Sequence, residues 1–404
     1  MAYGIRIFGV PGSGKTTKCL EMLDGFLQEY DPSEIAYLSF TRAATHEAVK
    51  RAVEKFGFER KEMRWFRTIH SACFRLLELE RDNILSEKDI KKFCNMQGVR
   101  YKTEGERALD DERSVLRPTK YPDVEGNFLI DFSNKLRNFT CKEVRELSED
   151  DVRMLWAKLN PQFSPFTSHI RIYDFLVDFE EYKERIGKFD YTDMLINVLK
   201  QKMHPFVRVV INDEAQDNTP LQGKIIGMWC RQADKYVLAG DWDQCLYHWS
   251  GSDPGWFLNF PVDEEVILSE SYRVPQNIIE IAALVIKRNK QRKDITPKGR
   301  SCKGTLKILM RPKFTDLLLL SRTGETNYFL FRTNYFEDLF CNELLQFGIP
   351  FKRLLRPTPW TKKIVNIHNA LVKFARKEKA TFEEAKAIIE NVPTAGFLKR
   401  GLKK

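Results

Sequence analysis

One short loop limits the folds open to this chain more than any other feature of its sequence. Residues 9–16 read Gly-Val-Pro-Gly-Ser-Gly-Lys-Thr and follow an alternating apolar stretch at residues 4–8. Glycines at this spacing let successive backbone amides converge on phosphate groups, and the helix predicted after the loop adds its positive N-terminal end. The spacing and flanks disfavour the alternative, a glycine-rich turn that binds nothing. The loop therefore predicts an α/β fold that binds a nucleoside triphosphate.

The polar side chains of this loop have separate predicted roles. Lys15 would reach the outer two phosphates, and the hydroxyl group of Thr16 would hold Mg²⁺. The other residues predicted to bind the nucleotide are Gly9, Gly12, Ser13, Gly14 and Thr17.

Two adjacent acids form the second part of the predicted site. Asp213 and Glu214 follow an apolar stretch at residues 206–211, which is typical of a buried strand. Asp213 can hold Mg²⁺ through water, while Glu214 can accept a proton from the attacking water. An acidic pair alone would be an ordinary exposed loop. Together with the phosphate loop, the pair predicts metal-assisted phosphoryl transfer.

The composition is that of a globular protein with two or three domains. Of the 404 residues, 43% are hydrophobic and 30% are charged. No basic and apolar leader precedes the first strand, and no stretch reaches the roughly 18 apolar residues of a membrane span. The 8 cysteines form no Cys-x-x-Cys pair, which disfavours a disulfide framework or a zinc site. We expect a cytoplasmic protein that does not contact a membrane.

The positive charge is concentrated in the last part of the chain. Residues 351–404 contain 14 Lys and Arg against 4 acids, an excess that equals the net charge of +10. The first 350 residues are therefore neutral overall, and any nucleic-acid binding by them would depend on local grooves. The basic stretch would either attract polyanions or form a solvated helical face.

Strand-like and helix-like segments alternate along the chain. Strands predicted at residues 35–40, 206–211, 236–239 and 266–268 suggest a parallel sheet with ligands at its carboxyl ends. New strands are predicted at 306–310 and 328–331, and a helix at 335–347. The predicted domains are an ATP-binding domain (1–80 with 188–275), a helical insertion (81–187), a partial second α/β domain (276–355) and a basic helical segment (356–404).

The string Asp-Glu-Ala-Gln-Asp at residues 213–217 resembles motif II of superfamily 1 helicases of the UvrD/Rep/PcrA type. Segments similar to the other motifs follow in the family's order. They are motif Ia (39–44), the Thr-x-His motif (67–71), the segment that re-enters the first domain (189–195), motif III (239–251), motif IV (268–278) and the opening strand of the second motor domain (329–334).

This resemblance covers nearly the whole chain and implies both a fold and an activity. The implied fold is a RecA-like P-loop NTPase domain with a helical insertion, followed by an incomplete second RecA-like domain. The implied activity is ATP-dependent translocation along single-stranded DNA in the 3′ to 5′ direction, with unwinding of partially duplex DNA. ATP and Mg²⁺ are the implied cofactors.

The resemblance also implies roles for three residues near the nucleotide. Gln244 occupies the position that senses the γ-phosphate, which a neutral amide can do by hydrogen bonding. Tyr272 would lie on the nucleotide base, and Arg273 would contact the γ-phosphate, where charge builds up in the transition state. The plainer alternatives are a surface turn for Gln244 and a helix-capping or salt-bridged arginine for Arg273.

The implied DNA contacts are of two kinds. Phe40, Tyr247 and Trp249 match positions whose rings stack on the bases of a single strand. Tyr247 and Trp249 are two residues apart, so both would project from one face of an extended segment. The residues that could contact backbone phosphates are Thr41, Arg42, Thr68, His70 and Ser71. A buried place in the core is the alternative for Phe40 and for His70.

The chain departs from the family pattern in three places. It shows no glutamine-containing segment before the phosphate loop, which leaves its preference for ATP open, and it has Ser250 where relatives carry an arginine. Nothing after residue 351 resembles motif V or VI, so the second arginine finger of the family is not found and the second domain would leave a sheet edge unpaired.

Three origins are open for such a chain: a fragment of a longer helicase, one half of a split protein completed by a partner polypeptide, or a naturally short relative. The alternative function is accordingly a nucleotide-dependent DNA-binding subunit that needs that partner. An RNA-directed relative is a third possibility.

Overall fold

The fold was analysed in a computed structural model. It describes residues 2–39, 42–103, 124–159, 169–245, 251–288, 292–293, 295–306, 327–331, 334–346, 349, 351–353, 362–379 and 381–391. One compact unit comprises Met1–Thr103 and Asp123–Ile308. The remaining described residues, from 327 to 391, belong to a second unit.

The first unit is built on a parallel sheet of six strands. The strands are β1 (Tyr3–Gly9), β2 (Ile35–Ser39), β3 (Trp65–Arg67), β4 (Val209–Asp213), β5 (Lys235–Gly240) and β6 (Glu264–Leu268). Their order across the sheet is β3-β2-β4-β5-β1-β6, and every neighbouring pair is parallel. The α/β fold with a parallel sheet is thus confirmed. The strand order places the carboxyl ends of β1, β4 and β5 side by side.

Apolar residues on both faces of these strands explain why the sheet is buried. Ile7 and Phe8 are adjacent in β1 and belong to different hydrophobic clusters, because successive strand residues point to opposite faces. Helices α1 (Lys15–Glu29) and α2 (Arg42–Phe56) contribute to the Ile7 cluster. Helices α3 (Ile69–Leu76), α4 (Tyr191–Lys200) and α5 (Pro220–Gln232) contribute to the Phe8 cluster.

A group of helices is inserted between α3 and α4. It contains α6 (Glu87–Met96), α7 (Glu125–Thr140), α8 (Glu149–Leu159) and α9 (His169–Ile186), around a cluster of its own. The chain enters and leaves this group side by side, because the N–H groups of Leu85 and Phe189 donate to the carbonyls of Phe189 and Asn83 at 2.9 and 2.8 Å. The predicted limits of the insertion, 81–187, lie close to this stem, and the domain division itself stays a prediction.

Two further helices and a small sheet also belong to the first unit. The helices are α10 (Gly255–Asn259) and α11 (Gln276–Ile286). Strand β7 (Glu270–Pro275) pairs in parallel with β8 (Lys298–Arg300). Strand β8 is three residues long and was not predicted.

Two strand predictions were wrong in part. The strand predicted at 206–211 begins at Val209, because the N–H of Val207 donates to the carbonyl of Pro205 in a local turn and Phe206 is 90% exposed. The strand predicted at 328–331 pairs with no other described residue, and Leu330 is 92% exposed. The predicted strand at 306–310 lies outside the described residues from 307 onward.

The second unit contains three described helices. They are α12 (Asn334–Gln346), α13 (Lys362–Ala375) and α14 (Phe382–Asn391). Helix α12 agrees with the helix predicted at 335–347. Among the described helices of the whole chain, none combines the length and the apolar character needed to cross a membrane. All 8 cysteines lie in the described part and carry free thiols.

Candidate functional site

Glycines shape the loop between β1 and α1. Gly12 and Gly14 have φ of 73° and 84°, in the left-handed region that glycine adopts without strain. A Cβ on Gly12 would lie 2.5 Å from the Cβ of Arg273, and one on Gly9 would lie 2.4 Å from the Oγ of Ser13. The Ser13 hydroxyl is buried and has no hydrogen-bond partner. These close approaches and the unsatisfied hydroxyl fit a loop that closes around phosphate oxygens.

The ammonium group of Lys15 lies over this loop. Its Nζ donates to the carbonyl of Gly9 at 2.9 Å and lies 4.0 Å from Oδ2 of Asp241. The side chain is buried, so its charge is poorly screened by water. Thr17 is exposed in the first turn of α1, where its side chain is accessible to a ligand.

Thr16 and Asp213, the two residues predicted to hold the metal, are in direct contact. The Thr16 hydroxyl donates to Oδ2 of Asp213 at 2.9 Å, and the Tyr37 hydroxyl reaches the same oxygen at 3.4 Å. Burial and the nearby charge of Glu214 raise the pKa of Asp213 to about 6. A hydroxyl and a carboxylate at a strand tip are oxygen ligands of the kind Mg²⁺ takes together with substrate phosphates and water.

No protein-only metal site accompanies this pair. Within the described ranges, no group of three or more His, Cys, Asp or Glu side chains could hold an ion. A metal bound by Thr16 and Asp213 would therefore share its remaining positions with phosphate and water, which is usual for Mg²⁺ at nucleotide sites.

Gln216 fixes the position of Glu214, and sequence reasoning missed this residue. Its Nε2 donates to Oε2 of Glu214 at 2.9 Å and to Oδ2 of Asp217 at 3.2 Å. Its Oε1 accepts the N–H of Asp241 at 3.0 Å. One buried amide thus links the end of β5 to the acid that follows β4, and Oε1 of Glu214 is left for another donor. In the sequence, the only indication of this role was the position of Gln216 within the string Asp-Glu-Ala-Gln-Asp.

Carboxylates outnumber cations around Lys15. Burial and the charge of Glu214 raise the pKa of Asp217 to about 7, and burial also raises the pKa of Asp241. One oxygen of Asp217, Oδ1, is buried without a hydrogen-bond partner. Together with Asp213, four acids converge where a single lysine is buried. Such a site favours an added cation, which fits Mg²⁺.

The turn after β5 brings Gln244 to the same place. Gln244 lies in the 3-10 turn Trp242–Gln244, and its Nε2 donates to Oδ2 of Asp241. The carboxylate of the neighbouring Asp243 forms an ion pair with Arg292 at 3.3 Å. Gln244 is therefore connected through Asp241 to Lys15, and its role as a sensor of the outer phosphate stays a prediction.

Strand β7 lies against the phosphate loop from the other side. The N–H of Tyr272 donates to the carbonyl of Gly12 at 2.9 Å, and the Ser271 hydroxyl donates to the carbonyl of Pro11 at 2.6 Å. The Tyr272 ring is 67% exposed, and the Arg273 side chain is exposed as well. Both are accessible to a nucleotide held by the loop, and their predicted contacts stay predictions.

The predicted DNA contacts are described only in part. Phe40, Thr41, Tyr247 and Trp249 lie outside the described residues, as does Ser250, and Arg42 is described only as the first residue of α2. Their roles stay predictions.

The Thr-x-His segment is described in full and begins α3. The Thr68 hydroxyl accepts the N–H of Ser71 at 3.4 Å and caps the helix. The His70 ring contacts the Tyr191 ring edge-on at 6.0 Å, and burial lowers the pKa of His70 to about 4. His70 is therefore neutral at physiological pH and could donate only one hydrogen bond to a phosphate. A DNA contact by Thr68, His70 and Ser71 stays a prediction.

One protein family and several known proteins are similar to a large part of this chain. Residues 3–265 match the family model of the UvrD/REP helicase N-terminal domain. The ATP-dependent DNA helicase PcrA of Staphylococcus aureus is 25% identical over 304 residues, and PcrA of Staphylococcus epidermidis is 26% identical over 304 residues. Each match covers 73% of this chain and 39% of the relative. The chain thus corresponds to well under half the length of these relatives.

Proposed function

This chain belongs to the UvrD/REP helicase family, and from that premise we propose that it hydrolyses ATP with Mg²⁺ to move along single-stranded DNA and unwind duplexes in the 3′ to 5′ direction. The observation that carries the proposal is the convergence of three separated segments, which contain Asp213, Gln244 and Tyr272, on one phosphate loop. Asp213 contacts Thr16 of the loop directly. Gln244 is joined to Lys15 through the carboxylate of Asp241.

Each group of residues in the site has a separate role in ATP hydrolysis. Lys15 and the backbone amides of the loop hold the outer phosphates, while Thr16 and Asp213 hold Mg²⁺. When bound, Mg²⁺ supplies positive charge to the phosphate oxygens as the bond to the leaving group breaks. Arg273 adds a second positive charge from the exposed side of the loop.

Glu214 acts as the general base in this proposal. Its Oε2 is occupied by the amide of Gln216 at 2.9 Å, so Oε1 is the oxygen that accepts the proton of the attacking water. Because Gln216 also binds the backbone at Asp241, the base keeps a fixed position relative to Gln244, which reports the γ-phosphate. Tyr247 and Trp249 follow Gln244 closely in sequence, which supports a link between hydrolysis and base stacking.

Steady-state ATP hydrolysis with and without single-stranded DNA tests the proposal. Glu214→Gln should keep nucleotide binding and lose about 10²- to 10⁴-fold in turnover, the usual contribution of a general base. Lys15→Ala serves as the blank for binding. Glu264→Gln, a change of the same kind on β6, is the matched control and should behave as the parent. A Glu214→Gln protein that hydrolyses ATP at the parent rate would contradict the assigned mechanism.

A second candidate function is a nucleotide-dependent DNA-binding subunit completed by a partner polypeptide. Exposed apolar side chains in the second unit favour it: Leu330, Phe382 and Tyr328 are 92%, 82% and 75% exposed. Tyr328 and Leu330 belong to a run of four exposed apolar residues, 328–331, and contiguous exposed apolar surface is typical of interfaces. Sedimentation of the purified chain decides between the two. A monomer that unwinds DNA unaided excludes the subunit.

A further inference from the structure

Three arginines near β3 form no ion pair with any acid that the structure describes. Arg64 precedes the strand, Arg67 ends it, and Arg75 lies in the following helix, α3. In the part of the chain that the structure describes, none of the three forms an ion pair. Other arginines do face acids, as Arg208 faces Asp234 at 2.7 Å and Arg51 faces Asp24 at 2.7 Å.

Direct contacts arrange two of these arginines in a row with Ser71. The Nε of Arg67 donates to the carbonyl of Arg64 at 2.6 Å, and its Nη1 donates to the Ser71 hydroxyl at 3.1 Å. Ser71 and Arg75 are four residues apart in α3 and therefore lie on one face, about 6 Å apart along the helix axis. The Arg64 guanidinium lies 5.3 Å from the Trp65 ring. Arg67 and Arg75 thus follow one another from the end of β3 along α3, and Arg64, at the start of β3, lies near both of them.

The positive charges in this row repel one another. Burial, followed by the charges of Arg75 and Arg64, lowers the pKa of Arg67. Burial and the charge of Arg64 lower the pKa of Arg75. By contrast, the hydrogen bond from Arg208 to Asp234 raises the pKa of Arg208. Since a guanidinium group stays charged at any physiological pH, the row keeps its charge and gains stability when an anion binds.

We propose that Arg64, Arg67 and Arg75 bind successive phosphates of the single DNA strand, and so extend its path beyond Thr68 and Ser71 along α3. The inference rests on the proposed function, because it takes the strand predicted at the Thr-x-His segment as its ligand. Guanidinium groups suit this ligand, since they donate two parallel hydrogen bonds to phosphate oxygens. Phosphate contacts of this kind set position and affinity and carry no sequence preference.

The salt dependence of DNA binding tests the row. Binding of a fluorescent single-stranded oligonucleotide would be measured by anisotropy between about 50 and 300 mM KCl. For single strands, the slope of log K against log salt is about −0.7 for each phosphate neutralised. An Arg67→Gln/Arg75→Gln double variant should therefore show a slope shallower by about 1.4, with weaker binding at low salt.

Matched control variants distinguish the loss of specific phosphate contacts from a general loss of positive charge. Arg208→Gln and Arg153→Gln remove the same charge from arginines that already face acids, Asp234 at 2.7 Å and Asp150 at 3.6 Å. Their combination should leave the slope unchanged. Arg67→Lys keeps the charge and should retain the slope while losing some affinity. Thermal unfolding and nucleotide binding confirm that each variant is folded.

The possible outcomes distinguish failure of the arginine-row proposal from failure of the proposed function on which it rests. If the parent chain binds no single-stranded DNA, the proposed function fails and the inference fails with it. If the parent binds and the Arg67→Gln/Arg75→Gln variant binds with the parent's slope, only the row is refuted. Inorganic phosphate at matched ionic strength should displace little DNA. Displacement from the parent but not from the double variant would make the row a site for free phosphate and overturn the proposal.

Discussion

Removing the guanidinium group of Arg137 should cost this protein more stability than any exposed charge change. Arg137 in α7 is 1% exposed and contacts the carboxylates of Asp190 and Asp193, at the start of α4. Lys183 in α9 contacts the same two carboxylates. Arg137→Met would leave two buried carboxylates with one ammonium. Breaking a buried pair by removing one partner costs about 3–5 kcal/mol.

An exposed arginine nearby provides the comparison. Arg145 pairs with Glu184, but their side chains are 70% and 50% exposed. A pair so exposed contributes about 0–1 kcal/mol, because water and salt screen the attraction. Urea unfolding followed by circular dichroism would give the two losses. Equal losses for Arg137→Met and Arg145→Met would refute the reasoning. An Arg137→Met/Asp190→Asn double variant should recover part of the loss, because one uncompensated charge is removed.

The pH dependence of the Arg137→Met loss gives an independent check. Burial and the charge of Asp190 raise the pKa of Asp193 to about 6, above its ordinary value of 3.8. A carboxyl whose pKa is raised by folding takes up a proton in the folded state, so its cost to stability falls as the pH drops through 6. Without Arg137 the pKa should rise further. The loss at pH 8 should therefore exceed the loss at pH 5.5.

Three further substitutions test the site. Gln216→Leu should lower ATP turnover about 10- to 100-fold with little change in nucleotide affinity, because Glu214 loses its fixed position; steady-state hydrolysis and nucleotide titration measure both. Asp217→Asn should raise the melting temperature at pH 8 by about 2–4 °C, or about 1 kcal/mol after allowance for solvent screening. Folding raises the pKa of Asp217 to about 7, so calorimetry should show this gain shrink by pH 5.5. Gly12→Ala should lower the free energy of unfolding by about 1–2 kcal/mol through backbone strain, measured by urea unfolding, and should also weaken nucleotide binding. Gly57 has a similar φ of 74° and lies in open space. Gly57→Ala should therefore lower the free energy of unfolding by a similar amount and leave nucleotide affinity in the titration unchanged.

Sequence patterns predicted those parts of the site that depend on local spacing. The loop from Gly9 to Thr16 needs only neighbouring residues to form, and Asp213 stands at the tip of a strand whose five residues are all buried. Both features were therefore visible without the fold. The parallel sheet also followed, since several short apolar strands lead into helices.

Contacts across the sheet were not predictable in the same way. Gln216 binds Glu214 two residues away, but its other partner is the N–H of Asp241, which comes near only because β4 and β5 are neighbours. The three residues of β8, Lys298–Arg300, carry no apolar alternation, so their pairing with β7 had no sequence signal. In the opposite sense, Phe206 made the strand before Asp213 look longer than it is, although its ring is 90% exposed.

The carboxyl ends of β3 and of the pair β4 and β5 carry unbalanced charge of opposite sign. At the ends of β4 and β5, Asp213 and Asp241 belong to a group of acids that exceeds the charge of Lys15. At the end of β3, separated from β4 by β2 alone, Arg67 belongs to a row that forms no ion pair with a described acid. The first imbalance favours a metal-bound nucleotide, and the second favours a phosphate backbone. Because like charges repel one another at short distances, a ligand of opposite charge at either place removes repulsion that the free protein retains. Binding of either ligand should therefore stabilise the first unit. Because β2 alone separates the two places, the charge of one ligand offers a physical route to influence binding of the other.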